Sequence, residues 1–259
     1  MNKTERHKLI LAAVEESGRV AIAELATAAA VSEMTIRRDL EALESAGGLL
    51  RVHGGAVTAA SRSWEPGYAS RELDSTPVKV QIGRAVADMI SEGETVILDA
   101  GTTTLQVAHA LVGRRNLRVM ALSLRIAELL ADEPGIDVMI PGGTIRKHER
   151  SIFGGLTERA FADLYFDTFV LSAGGIDAVA GVTEYNPDDA GAKRAAFRTS
   201  RRTILAADAS KLDKVAFVRV CGLEELSAVV TSGPVPETTA TQYLRSHAVD
   251  VVGAGPGSR

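Results

Sequence analysis

Residues 31–56 read VSEMTIRRDLEALESAGGLLRVHGGA, with two adjacent arginines inside an amphipathic pattern. At 100° per residue Ile36, Leu40 and Leu43 share one face, while Met34 and Arg38 lie roughly opposite and Thr35 and Arg37 flank them. A guanidinium is a planar fork that can engage guanine O6 and N7 together, or a phosphate. Thr35 can meet a phosphate or a thymine methyl. Ser32 precedes the helical pattern, where its hydroxyl can accept from a free first-turn N–H. LLRV (49–52), the pair Gly54-Gly55 and AVTA (56–59) read as a small hairpin, which places Arg51 and His53 to touch a DNA backbone or minor groove. The bland alternative is a solvated helix face, with Arg37 paired to Glu41 at i,i+4 and Arg38 to nearby carboxylates.

A second set of residues lies downstream. LDAGTTT (98–104) reads as a strand ending in Asp99, a small-residue loop, and a helix expected over 103–111. Amides and hydroxyls at such a helix start, from Thr102, Thr103 and Thr104, can form an anion site, and Gly101 lets the backbone approach a ligand closely; the bland alternative is a small-residue turn that only makes a tight connection. PGGT (141–144) follows another strand with Gly142 and Gly143, and AGGID (173–177) follows a third with Gly174, Gly175 and Asp177. Loops of this kind after parallel strands meet at the C-terminal edge of a sheet, where open α/β folds bind ligands. Asp208-Ala-Ser210-Lys211 adds a cation suited to a phosphate.

Carboxylates and amines in these loops also raise an isomerase, which needs a general base and a group to stabilise an enediolate. Asp99, Asp177, Glu184, Asp188, Lys193 and Lys211 are candidates, yet none forms a spacing that demands catalysis. Asp177 is suited to capping the turn after it and Asp188 to capping the helix that holds Lys193. His7, His53, His109, His148 and His247 show no metal-ligand spacing, and there is no nucleophile elbow. No metal or cofactor is called for. The single cysteine, Cys221, excludes an intramolecular disulfide. With no signal-peptide pattern and no apolar run near membrane length, the expected setting is the cytoplasm.

Net charge gives DNA binding no support. The 259 residues carry −4 in all, and residues 1–60 hold seven Lys/Arg against eight Asp/Glu. Contact with a polyanion must come from charge placement.

The elements that position these groups fall into two sets. Helices are expected at 3–17, ended by Gly18, at 22–30 and at 33–46, ended by Gly47-Gly48, followed by the hairpin. Together they match a winged helix-turn-helix over 1–58, its second motif helix entering the major groove. Residues 59–77 break the periodicity, carry the only Trp and read as a linker. From 78 to 253, apolar runs at 95–99, 117–122, 136–140, 167–173, 202–208, 227–231 and 249–253 alternate with helical stretches. This predicts an α/β domain with a mostly parallel sheet and helices on both faces. Residues 254–259 read as a tail.

The stretch 31–56 resembles the signature of the DeoR family of bacterial transcription regulators. Val31, Ser32, Thr35, Ile36, Arg37, Arg38, Asp39, Leu40, Leu43, Gly47, Arg51, His53, Gly54, Gly55 and Ala56 match at that spacing. Downstream, Asp99, Gly101, Thr102, Thr103 and Thr104, then Gly142-Gly143, Gly174-Gly175, Gly181-x-Thr183, Lys193-Arg194 and Asp208-x-Ser210-Lys211 resemble the family's sensor domain. That domain is of the ribose-5-phosphate isomerase-like type. The resemblance implies a regulator, most often a repressor of sugar catabolism, that binds double-stranded operator DNA as a homodimer or homotetramer. It also implies release by a phosphorylated sugar bound near these loops, Ser123 and Lys193 included. The alternative is a sugar-phosphate isomerase-like enzyme with an appended DNA-binding domain. One departure stands out: Ala121-Leu122-Ser123 replaces the usual Thr-Asn-Ser, which removes a side-chain amide able to contact a sugar hydroxyl.

Overall fold

The computed structural model describes residues 1–45, 48–57 and 62–255. Two compact units divide between Asp74 and Ser75. In the first, α1 (Lys3–Ser17) is opened by a capping box in which Glu5 N–H donates to Asn2 Oδ1 and Asn2 N–H to Glu5 Oε2. Gly18, in the left-handed region, closes it. Then follow β1 (Arg19–Ala21), α2 (Ile22–Ala29), α3 (Glu33–Ser45), β2 (Leu50–Val52), β3 (Gly55–Val57) and α4 (Tyr68–Leu73).

The expected hairpin is the pair β2–β3, and β1 adds a third antiparallel strand on the far side of β3. Glycines permit that pairing. Gly54 turns the hairpin at φ +81°, and a Cβ on Gly55 would stand 2.1 Å from the Val20 carbonyl oxygen. Ile10, Val14, Leu25, Ile36, Leu40, Leu43, Leu49 and Ala56 form the small core. The expected helix end at Ala46-Gly47, the hairpin residues 58–59 and the first residues of the expected linker lie outside the described residues.

The remainder of that expected linker is not featureless. Tyr68 is buried, and its aromatic area drives α4 onto the first unit. Arg71 pairs with Glu65 at 2.8 Å and donates to the Pro66 carbonyl. The broken periodicity at Pro66-Gly67 hides a helix too short for a 3.6-residue pattern to register.

The second unit runs α5 (Thr76–Asp88), β4 (Thr95–Leu98), α6 (Thr102–Leu111), β5 (Leu117–Ala121), α7 (Leu124–Leu130), β6 (Ile136–Met139), β7 (Thr144–Ile145), β8 (Ile152–Phe153) and α8 (Gly155–Ala160). It continues with β9 (Phe166–Leu171), β10 (Gly175–Asp177), β11 (Gly181–Glu184), α9 (Pro187–Arg198), β12 (Ser200–Ala206), β13 (Val218–Cys221), β14 (Ala228–Ser232), α10 (Thr239–Ser246) and β15 (Asp250–Ala254). The seven apolar runs all enter one sheet, ordered β15-β14-β12-β9-β4-β5-β6 and parallel throughout. Alternation along the strands feeds two cores. Ile97, Phe169, Leu171, Leu205 and Val229 join one, while Val96, Leu98, Val170, Ile204 and Val230 join the other.

Two small sheets were not expected from the sequence: β10-β11-β13, antiparallel, and the hairpin β7-β8. Their strands are two to four residues long. Such lengths give period-2 alternation no room to show. Among the described residues no helix is long and apolar enough to cross a membrane.

Candidate functional site

The burial of α3 follows its sequence spacing. Ile36, Leu40 and Leu43 are buried, while Met34, Arg37 and Arg38 are exposed. Ser32 opens the helix: its Oγ accepts the Thr35 amide at 3.2 Å and lies 3.0 Å from the Thr35 hydroxyl. Arg37 pairs with Glu33 at 2.8 Å, not with the Glu41 expected of a solvated face. Glu41 is instead turned toward Arg51, which also binds Glu44. His53 is exposed near the turn.

Asp39, which follows the arginine pair, points the other way and is 3% exposed. It accepts from Arg6 Nε at 2.5 Å and Arg6 Nη2 at 3.1 Å, and lies 3.1 Å from His7 Nε2. Burial alone pushes this carboxyl up, but the Arg6 and His7 contacts outweigh it and hold the net value below the ordinary range. Asp39 therefore ties α1 to α3. Its contribution is present above the ordinary carboxylate pKa of about 3.9 and is lost as pH falls through the depressed value. Asp39→Asn is expected to destabilise the first unit by about 2–3 kcal/mol near neutrality. Acid titration followed by circular dichroism should find that loss shrinking as pH falls below the ordinary carboxylate range and through the depressed Asp39 value.

In the second unit the chain passes from β4 to β5 and β6 on one side, and reaches β9 on the other. The sheet's switch point thus lies between β4 and β9, where α/β folds open a crevice beyond the strand ends. Asp99 ends β4 and Ser172 ends β9. The Ser172 amide donates to Asp99 Oδ2 at 2.9 Å and its hydroxyl at 2.7 Å. Lys193, from α9, completes the floor: Nζ lies 2.9 Å from Asp99 Oδ2, contacts Glu184 Oε2, and donates to Ser172 Oγ at 3.0 Å. Burial lowers the Lys193 pKa, but the two carboxylates outweigh it and hold the ammonium charged.

Above this floor α6 begins. Gly101, at φ +154°, supplies no side-chain cap, and a Cβ there would lie 3.3 Å from both the Ser172 and Thr104 hydroxyls. The first turn consists of Thr102, Thr103 and Thr104, all buried, the last donating to the Gly101 carbonyl at 3.1 Å. Gly174 is packed against Tyr185, whose hydroxyl donates to the Gly174 carbonyl at 3.2 Å. The Lys211 ammonium lies 5.8 Å from the centroid of the same Tyr185 ring. Gly175 lets the Lys214 carbonyl pass close.

The β7–β8 hairpin closes over the end of β5. Ser123 bridges Ser151, and Ser151 Oγ donates to Asp189 Oδ1 at 2.8 Å while Arg146 donates to Asp189 Oδ2 at 2.7 Å. Burial is the leading influence on Asp189 and raises its pKa despite these partners. Gly142 and Gly143 stand at the hairpin's base, where Thr157 donates to the Gly142 carbonyl at 2.7 Å.

The Asp177 carboxylate accepts the amides of Val179 and Ala180 at 2.9 and 2.8 Å, the turn-capping role its position suits. Asp188 does not cap α9; the cap is Asn186, whose Oδ1 accepts the Asp188 and Asp189 amides. The helix starts at Pro187, so only a side chain just before it reaches those amides. Leu122 is 2% exposed in the core with Phe169 and Leu171, so that position presents no polar group to a ligand. Ser172, Tyr185 and Asp189 were missed. Ser172 carried the one usable signal, a polar residue just past a parallel apolar run.

The DeoR-like helix-turn-helix domain matches residues 6–62 and the DeoR C terminal sensor domain matches residues 75–233. The chain belongs to the DeoR family. It is 33% identical over 251 residues to the Glycerol-3-phosphate regulon repressor of Escherichia coli K12, covering 97% of this chain and 99% of that one. It is also 33% identical over 247 residues to the HTH-type transcriptional repressor CsqR of the same organism, covering 95% and 94%. Among solved structures, ribose 5-phosphate isomerase A of Methanocaldococcus jannaschii is similar at 11% identity and TM-score 0.41, covering 54% of this chain and 55% of that one. That likeness is too slight to bear on function. As a member of the DeoR family this chain is a DNA-binding transcription regulator, not an enzyme.

Proposed function

We propose that this DeoR-family regulator is a repressor that holds an operator through α3 and lets go when a phosphorylated sugar occupies the crevice between β4 and β9. The exposed Arg38 carries the DNA half of this reading. Among the described residues it forms no ion pair, and it rides on a helix whose opposite face is buried. Met34, Thr35 and Arg37 flank it, with Ser32 at the helix start and His53 on the hairpin. A homodimer or homotetramer supplies two such heads to two half-sites, which multiplies a modest single-head affinity.

The switch-point crevice supports the effector half. The uncapped start of α6 offers amides to a phosphate, and Lys211, over the Tyr185 ring, is the cation assigned to it. Asp99, Ser172 and Lys193 are spent on one another, so they shape the floor more than they contact the ligand. Glycerol 3-phosphate and other small phosphorylated polyols and sugars are the compounds to titrate, since one relative is named for glycerol-3-phosphate. A ligand that favours one state of the dimer shifts the other's population and thereby DNA affinity.

Fluorescence anisotropy on the chain's own upstream DNA at fixed salt, followed by a sugar-phosphate panel, tests both halves. Specific binding reversed by one compound is the expected result; binding that no phosphorylated compound reverses counts against the effector. Lys211→Ala is expected to leave DNA affinity unchanged and raise the releasing concentration about ten- to a hundredfold, the worth of one charge-assisted contact. An unaltered response would remove Lys211 from the site.

A further inference from the structure

Sequence alone placed Arg51 against DNA, but its surroundings give it a different task. Its backbone N–H donates to Glu44 Oε1 at 3.1 Å and its Nε to Glu44 Oε2 at 2.7 Å, so one carboxylate holds both ends of the residue. Nη1 donates to Glu41 Oε1 at 2.9 Å. Glu41 and Glu44 lie on α3 with Arg38, so the three contacts pin the first strand of the hairpin to the reading helix. The guanidinium also sits between two carboxylates that would otherwise face a polyanion together with the exposed arginines. Glu44 is held below its ordinary carboxylate value, chiefly by the two Arg51 hydrogen bonds.

We propose that Arg51 is a positioning residue, not a DNA ligand: it fixes the hairpin's angle to α3 and neutralises Glu41 and Glu44, so that His53 and the α3 arginines meet DNA in one register. The assignment rests on α3 being the reading helix. Its energetic signature is geometric order, because exposed ion pairs by themselves add little stability. A phosphate contact and a positioning clamp make opposite demands on charge at position 51. A phosphate contact needs a cation there, whereas the clamp needs a charge opposite to those it faces at positions 41 and 44.

Three forms of the full chain decide between them: wild type, Arg51→Ala, and the exchange Arg51→Glu with Glu44→Arg made together with Glu41→Gln, so that no carboxylate opposes the new one. Each is titrated by anisotropy against the upstream DNA fragment over a range of salt. Arg51→Ala is expected to weaken binding on the order of tenfold, while the slope of log K against log salt changes by well under one, since unmasking Glu41 and Glu44 adds repulsion but removes no phosphate contact. The exchanged pair is expected to recover most of the affinity. A slope smaller by about one in Arg51→Ala, with the exchanged pair weaker still, would mean that Arg51 touches phosphate and would overturn the proposal.

Amide exchange of the hairpin residues Val52–Val57, measured without DNA, stands apart from the operator reading. It should quicken in Arg51→Ala and return toward wild type in the exchanged pair; unchanged exchange overturns the clamp. If wild type binds no DNA, the operator reading fails, and the exchange arm still decides whether the clamp exists.

Discussion

Arg38→Ala is expected to abolish operator-specific binding while leaving thermal unfolding unchanged. The two halves of that statement come from different facts. Arg38 is exposed and lies opposite Ile36, Leu40 and Leu43, so its removal opens no cavity and strands no buried charge. Surface substitutions of that kind stay within about 0.5 kcal/mol. A bidentate arginine–guanine contact, in contrast, is worth about 1–3 kcal/mol of discrimination, and two heads on one operator compound the loss. Anisotropy on specific and scrambled duplexes at one salt concentration should show the two converging for the variant. Undiminished specific binding would end the assignment of α3 as the reading helix. Arg37→Ala should cost less, because its guanidinium already shares Glu33.

The second large effect concerns the crevice floor. Lys193→Met is expected to destabilise the second unit by about 3–5 kcal/mol, since it removes the cation that Asp99 and Glu184 both face. Domains are stable by only about 5–15 kcal/mol, so the loss is a large share. For a unit of this size it corresponds to a fall in Tm of roughly 10 °C, readable by scanning calorimetry. A variant as stable as wild type at neutral pH would show that the two carboxylates find other partners, and that Lys193 is free for a ligand after all.

The two expectations show why arginine and lysine are used differently here. On α3 the charge must stay hydrated and available, so it sits on an exposed face. At the floor the charge must hold strand ends together, so it is buried and fully partnered. An Arg38→Lys change keeps the charge but loses the fork, whereas any neutral residue at 193 loses the junction of β4, β11 and α9.

Much of the architecture was legible in the amino-acid order. Seven apolar runs were enough to expect a parallel sheet, because strands buried on both faces read as continuous hydrophobic stretches. The helical period around Ile36, Leu40 and Leu43 oriented α3 correctly, since local burial follows local spacing. The turn-capping role of Asp177 was equally legible, because its partners are two and three residues away.

What required the tertiary structure was every contact made across long separations. Asp39 meets Arg6 across 33 residues, Asp99 meets Ser172 across 73, and Arg146 meets Asp189 across 43. Which acid and which base share a pair depends on strand order and helix docking, which a period cannot encode. Arg51 is the clearest case. Its type and place in the sequence point to DNA; that α3 also brings Glu41 and Glu44 within hydrogen-bond reach is set by the fold. Sequence settled which side chains are buried, because burial is a local pattern; the fold settled which charges remain unpaired, because pairing is set by distance in space.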